Sequence, residues 1–226
     1  MKNNKILLAY LAGILTIGIL LHSISCTRED EVVGTIDPPN FTYGTETVKN
    51  SDGWTFNKTH SSVLWETDYL GVSALLTGRF NSFDAKAEFI EDHPEASTLS
   101  GWVVLSSVNT GEPGRDGGCL LVTFGTATIA DTAKFVTTSI AFDNLGGYVA
   151  HADLDFHGVK KDVTMQLTYT KATRFDENSG IGGAPFTIAG LSGQFEINAK
   201  TDFGIVSTSI ADRVRVKISC QFKKAG

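Results

Sequence analysis

From Trp54 onward the chain alternates apolar and polar residues with a period of two, the signature of strands that carry one face inward. Ser61 to Thr67 places Val63, Trp65 and Thr67 on one face and Ser62, Leu64 and Glu66 on the other. Val72 to Phe80 continues with Val72, Ala74, Leu76, Gly78 and Phe80 on one side, and Ala85 to Ile90 with Ala85, Ala87 and Phe89. Leu99 to Val108 is apolar on both sides, which requires cover on both sides. Ala133 to Asp143 and Tyr148 to His157 read as an antiparallel pair joined at Asn144-Leu145-Gly146-Gly147. In Asp162 to Arg174, Val163, Met165, Leu167 and Tyr169 alternate with Thr164, Gln166, Thr168 and Thr170. Gln194 to Lys200 and Arg213 to Phe222 complete the set, the latter with Val214, Val216, Ile218 and Cys220 opposite Arg215, Lys217 and Ser219. Thr110 to Gly118 and Asn178 to Pro185 are glycine-rich loops, and Cys119 to Phe124 is a short helical or irregular run. About eight strands and no long helix predict an all-β, antiparallel, up-and-down barrel, because closure removes exposed edges.

The inward positions mix large residues (Trp65, Phe80, Phe89) with small ones (Ala74, Gly78, Ala85, Ala87). A barrel of about eight strands has room for its own side chains or for one ligand. The small residues leave a gap, or neighbouring aromatics fill it. With Leu99, Gly101 and Val103 inward, Trp102 and Val104 point outward as an apolar pair. They predict either a homodimer contact or cover by residues 40–53.

The first residues follow a different pattern. Lys2 and Lys5 precede an apolar run from Ile6 to Leu21, and Ser23-Ile24-Ser25 leads into Cys26. Residues 1–25 therefore read as a signal peptide. The arrangement resembles a bacterial lipoprotein signal, in which Cys26 is lipidated, although Ser23 stands where leucine is usual. Such a chain sits in the bacterial cell envelope, held by acyl chains to a membrane, more readily the outer one, and is periplasmic or surface-exposed. Thr27-Arg28-Glu29-Asp30-Glu31 and Pro38-Pro39 lie within residues 26–50, read as a flexible linker, with the domain occupying residues 51–226.

Composition narrows the chemistry. The formal charge is −6 and no basic cluster stands out, which argues against a nucleic-acid partner. Cys119 and Cys220 belong to no CxxC or Cys/His pattern with metal spacing. They stay as buried thiols or pair in an oxidising compartment. No GxSxG, HExxH or phosphate-binding glycine loop is present. His60 and His157 lack an adjacent nucleophile, so neither a catalytic set nor a cofactor or metal is expected, and the chain does not read as an enzyme. Asp202 is expected to cap a turn and Phe203 to plug one end of the lumen.

A set of short words then appears in order: Thr59-His60-Ser61-Ser62-Val63; Leu70-Gly71-Val72 with Gly78-Arg79-Phe80 and Phe83; Asn109-Thr110 with Arg115-Asp116; Phe156-His157-Gly158-Val159 with Val163; and Thr201-Asp202-Phe203-Gly204-Ile205. Together, from about residue 54 to 222, they resemble the YceI-like lipid- and polyisoprenoid-binding family. The resemblance implies an eight-stranded, lipocalin-like barrel with at most short helices, holding an isoprenoid or similar lipid chain. Implied lumen residues are Val63, Trp65, Val72, Ala74, Leu76, Phe80, Phe89, Val103, Phe156, Met165 and Phe203. His60, Arg115, Asp116 and His157 are the polar candidates at the mouth. The alternative is a structural or stress-related envelope module whose barrel is filled. Lys200 stands where the family commonly has arginine, Gly117-Gly118-Cys119 replaces polar residues, and Phe124 is what remains of an aromatic pair.

Overall fold

A computed structural model describes residues 41–43, 47–120, 124, 132–181 and 183–226. The leader, Cys26 and linker residues 27–40 lie outside the described residues. The strands are β1 (Phe41–Tyr43), β2 (Val48–Lys49), β3 (Thr55–Phe56), β4 (Ser62–Tyr69), β5 (Ala74–Phe80), β6 (Phe83–Phe89) and β7 (Thr98–Val104). They continue with β8 (Val108–Asn109), β9 (Thr132–Phe142), β10 (Tyr148–Phe156), β11 (Val159–Phe175), β12 (Phe186–Asn198) and β13 (Ile210–Ala225). Among the described residues one short α-helix, α1, spans Pro113–Gly118.

The strands form one antiparallel sheet in the order β2-β6-β7-β9-β10-β11-β12-β13-β4-β5-β8, with β1 added on β11 and β3 on β13. The sheet has thirteen strands rather than about eight, because short pieces pair at its margins. Phe41–Tyr43 and Val48–Lys49, assigned to the linker by sequence, are strands of it: Phe41 pairs with Phe175 and Val48 with Phe89. The sheet curls around one apolar core. No ladder joins β5 to β6 among the described residues, and hydrogen bonds tie the Asn81-Ser82 connection between them to residues 104–107. Asn81 N donates to Ser107 O (2.9 Å), Ser82 N to Ser107 Oγ (2.9 Å) and Val104 N to Ser82 O (2.8 Å).

Alternation sets the inner face. Tyr148, Ala150, Ala152, Leu154 and Phe156 of β10 are all buried, and Val163, Met165 and Leu167 face them from β11. A bulge between His151 and Ala152 shifts the register against β9. Beside it the buried Thr137 hydroxyl donates to Leu99 O (3.2 Å) and accepts from Leu99 N (2.8 Å), so its burial leaves no orphaned polar atom.

Two lumen assignments fail. Val72 is 94% exposed and Ala74 is exposed as well. The chain turns at Leu70 (φ 48°) and Gly71 (φ 76°), so β5 starts only at Ala74, past the end of the core. Leu76 and Phe80 of the same strand face are buried. Gly78 leaves no gap: a Cβ there would lie 2.5 Å from the Trp65 ring, which already occupies the space. Leu99 and Gly101 are buried, Val103 is half-buried, and Trp102 is 40% exposed on the outer face. The 47–54 segment does not cover Trp102. It packs Val48 and Trp54 into the core at the β6 side, with Ser51 Oγ donating to Glu88 (2.9 Å).

Candidate ligand-binding site

The strand registers divide the interior into two halves. In one, Phe89 meets Tyr148 (ring centroids 5.1 Å) and Tyr169 (5.0 Å), and Val48 is its cross-strand partner; all but Tyr169 are buried. In the other, Val63 and Trp65 (β4), Phe80 (β5), Phe83 (β6), Val103 (β7) and Phe156 (β10) line a cavity of about 100 Å³. Val214, Val216 and Ile218 of β13, the neighbour of β4, also line it. The lining is almost wholly apolar. Asp84, Trp102 and Lys134, one cross-strand row, contribute to it and are exposed to solvent. A smaller void of about 30 Å³ lies beyond, bordered by Met165, Leu167, Leu191 and Phe222.

Of the lumen residues expected from sequence, Val63, Trp65, Phe80, Val103 and Phe156 border the larger cavity and Met165 the smaller. Leu76 is buried without bordering either. Phe89 belongs to the filled half. Phe203 packs on Phe156 (5.3 Å). Sequence reasoning missed Phe124, whose ring lies 5.4 Å from Trp65 and 5.3 Å from Phe80. It placed the small Ala85 inward, but missed Ala133, Phe135, Leu154, Phe195 and Ile197 as lining. Their inward parity was the available signal.

The four polar candidates do not converge on a mouth; none lines the cavity among the described residues. His60 is exposed on a turn, its Nδ1 3.0 Å from Asn57 Nδ2. The neighbouring Ser61 Oγ donates to Asn57 O (2.8 Å) and accepts from Gln221 N (2.9 Å), stapling this turn to β13. Arg115 and Asp116 both clamp Thr110. Arg115 Nη2 donates to Thr110 O (3.0 Å), while Asp116 Oδ1 accepts from Thr110 N (2.7 Å) and Oγ1 (2.6 Å). Those bonds hold the Asp116 carboxyl below its usual range. His157 is buried at a left-handed turn (φ 58°), its ring 4.3 Å from that of Phe156. Burial lowers its pKa, partly opposed by a hydrogen bond to the Phe124 backbone, and its Nε2 has no partner.

Asp202 accepts from Asn198 Nδ2 (3.1 Å) and faces Lys161 Nζ (3.7 Å). The carboxylate that caps this turn is Asp212, accepting from Lys200 N (2.7 Å) and Thr201 N (3.1 Å). Cys119 and Cys220 are both buried, and neither forms a disulfide among the described residues. Burial raises the Cys220 pKa to about 12, so it is inert near neutral pH. No cluster of three or more His, Cys, Asp or Glu that would hold a metal occurs among the described residues.

Comparison with known proteins fits this geometry. The profile of the YceI-like domain matches residues 54–222. A UPF0312 protein of Shewanella denitrificans is 31% identical over 146 residues, covering 65% of this chain and 72% of that protein. A UPF0312 protein of Pseudomonas putida is 31% identical over 110 residues, covering 49% and 57%. In three dimensions, Burkholderia cenocepacia BcnA aligns with TM-score 0.60 at 17% identity, covering 74% of this chain and 98% of that one. The Campylobacter jejuni YceI protein aligns with TM-score 0.55 at 18% identity, covering 67% and 86%. At these identities the structural neighbours speak for the fold.

Proposed function

This chain belongs to the YceI-like domain family, and on that premise we propose that it binds a long-chain isoprenoid or similar amphiphilic lipid in its lumen. It acts as a carrier or scavenger in the bacterial cell envelope, and not as an enzyme. The observation that carries the reading is the apolar cavity between Trp65, Phe80, Phe156 and Val216. Apolar cavities of about 150 Å³ stay dry and take up benzene. One of about 100 Å³ accepts part of a hydrocarbon chain as it stands. Displacement of the Phe124 ring, which lies between Trp65 and Phe80, admits more of it. Leaving this volume empty forfeits about 2 kcal/mol of packing, and each methylene transferred from water adds about 0.8 kcal/mol. A few isoprene units therefore offset the cost of association.

The four polar candidates do not line the cavity, and the lining itself is almost wholly apolar, which favours a binder. Arg115, Asp116 and His60 are engaged in local turn structure. The rival reading, a filled structural module, draws on the packing of the Phe89 half. The proposal extends to Cys26 as the lipid-anchored residue, to an outer-membrane location, and to contact between two copies at the outward Trp102. Organic extraction and native mass spectrometry of the purified soluble domain test the central claim. A bound polyprenyl or quinone-type chain is expected. A domain that stays empty after incubation with such chains overturns it. Loss of metabolic palmitate labelling in Cys26→Ser tests the anchor, and light scattering tests the pairing.

A further inference from the structure

The two voids are segments of one lumen. Ala85, Phe135, Ile218 and Cys220 border both. Ala85 and Phe135 stand on one wall, on β6 and β9. Ile218 and Cys220 stand on β13, which pairs with neither. Phe135 is the one bulky aromatic among the four. Its position follows from its cross-strand partner, Gly101. A Cβ on Gly101 would come within 2.7 Å of Phe135 Cε1, so the ring lies where a side chain at position 101 would be. Gly101 in turn pairs with Ala85, another small residue. The backbone needs no left-handed conformation at Gly101; its missing side chain serves to seat the ring.

We propose that Phe135, seated on Gly101, sets the length of the hydrocarbon chain this lumen admits. With the ring in place, a chain that fills the larger cavity stops at the neck between Ala85, Phe135, Ile218 and Cys220. Removing the ring joins the two voids and adds the space bordered by Met165, Leu167 and Leu191. The neck is apolar on both walls and Cys220 is held as the neutral thiol, so it discriminates by width alone. The preferred ligand is thus a linear isoprenoid of limited length. This deepens the lipid-binding reading and rests on it.

The test is a binding series of geraniol, farnesol and geranylgeraniol, which grows by one isoprene unit at a time. It is measured on wild type, Phe135→Ala, Phe135→Leu, Gly101→Ala and the Gly101→Ala/Phe135→Ala double variant. Thermal melts confirm that each is folded. In wild type the gain in affinity stops at one member of the series. In Phe135→Ala it extends to the next longer member by tenfold or more, since each further buried methylene contributes about fourfold. Phe135→Leu keeps the core filled and gives an intermediate shift. Gly101→Ala drives the ring into the lumen and weakens binding of every member. The double variant restores it, the coupling expected of two residues sharing one space. Wild type that binds no member overturns this inference, while extraction of a longer bound chain still upholds the lipid-binding reading. Wild type that binds while Phe135→Ala keeps the same cutoff overturns the inference alone.

Discussion

The two halves of the lumen share β6, β10 and the same alternation, yet one is filled and the other is not. Around Phe89, aromatic rings meet edge to face or tilted at about 5 Å, and the buried Ala150 and Ala152 follow Tyr148 on the same inner face of β10. Around Val103, Ala133, Val214 and Val216 a cavity remains although several rings border it. Residue size alone therefore does not make a pocket: Trp65 fills the space at Gly78, while the larger Ala85 borders the cavity.

Deleting a ring exposes this contrast most. Phe89→Ala is expected to cost about 3–5 kcal/mol, because fixed neighbours leave the space empty. Val103→Ala, beside an existing cavity, should cost about 1 kcal/mol. Chemical denaturation of the two variants decides it, and equal losses would break the distinction.

Alkaline pH probes the boundary between the halves. The Cys220 pKa rises in the fold from 9.0 to about 12, so the unfolded chain gives up this proton first. The stability it contributes is complete below about pH 9 and is lost as pH climbs toward 12, at most about 4 kcal/mol. Cys220→Ala should therefore flatten the decline of melting temperature across that range. An unchanged decline would mean that water reaches the neck.

Filling reverses the first comparison. Ala150→Leu overpacks the closed half and should destabilise by about 1–3 kcal/mol. Ala133→Leu extends into the cavity, should cost nothing or stabilise by up to about 2 kcal/mol, and should abolish lipid uptake. Thermal melts with and without ligand measure both.

Acid gives the smallest effect. The pKa of His157 is depressed by burial, so its contribution is present above the unfolded value of 6.5 and is lost as pH falls below it. His157→Gln should weaken this acid dependence. A curve identical to wild type would indicate that the ring is solvated.

Much of the fold was legible because period-two alternation survives wherever a strand has one dry face. β10, β11 and β13 follow their sequence pattern closely, with Tyr148 to Phe156 buried at every second residue. The first half of β12 was not legible. Gly190 and Gly193 weaken its strand signal, and their value appears only when Thr170 and Met165 pack where a Cβ would stand. β1 and β2 were hidden for another reason: two or three residues carry too little pattern, and their pairing with β11 and β6 is long-range. Asp212 was overlooked as a cap because the turn it serves precedes it by more than ten residues.

The sequence by itself determined strand parity, the antiparallel all-β class and the family, since each is written in local spacing and word order. It assigned Val72 and Ala74 to the same strand face as the buried Leu76, but the end of the core came before them. Tertiary structure alone decided where the core stops, which small residue is covered by a ring, and that Phe135 rests on Gly101. These are contacts between strands distant along the chain, and whether a volume is filled depends on every wall around it at once.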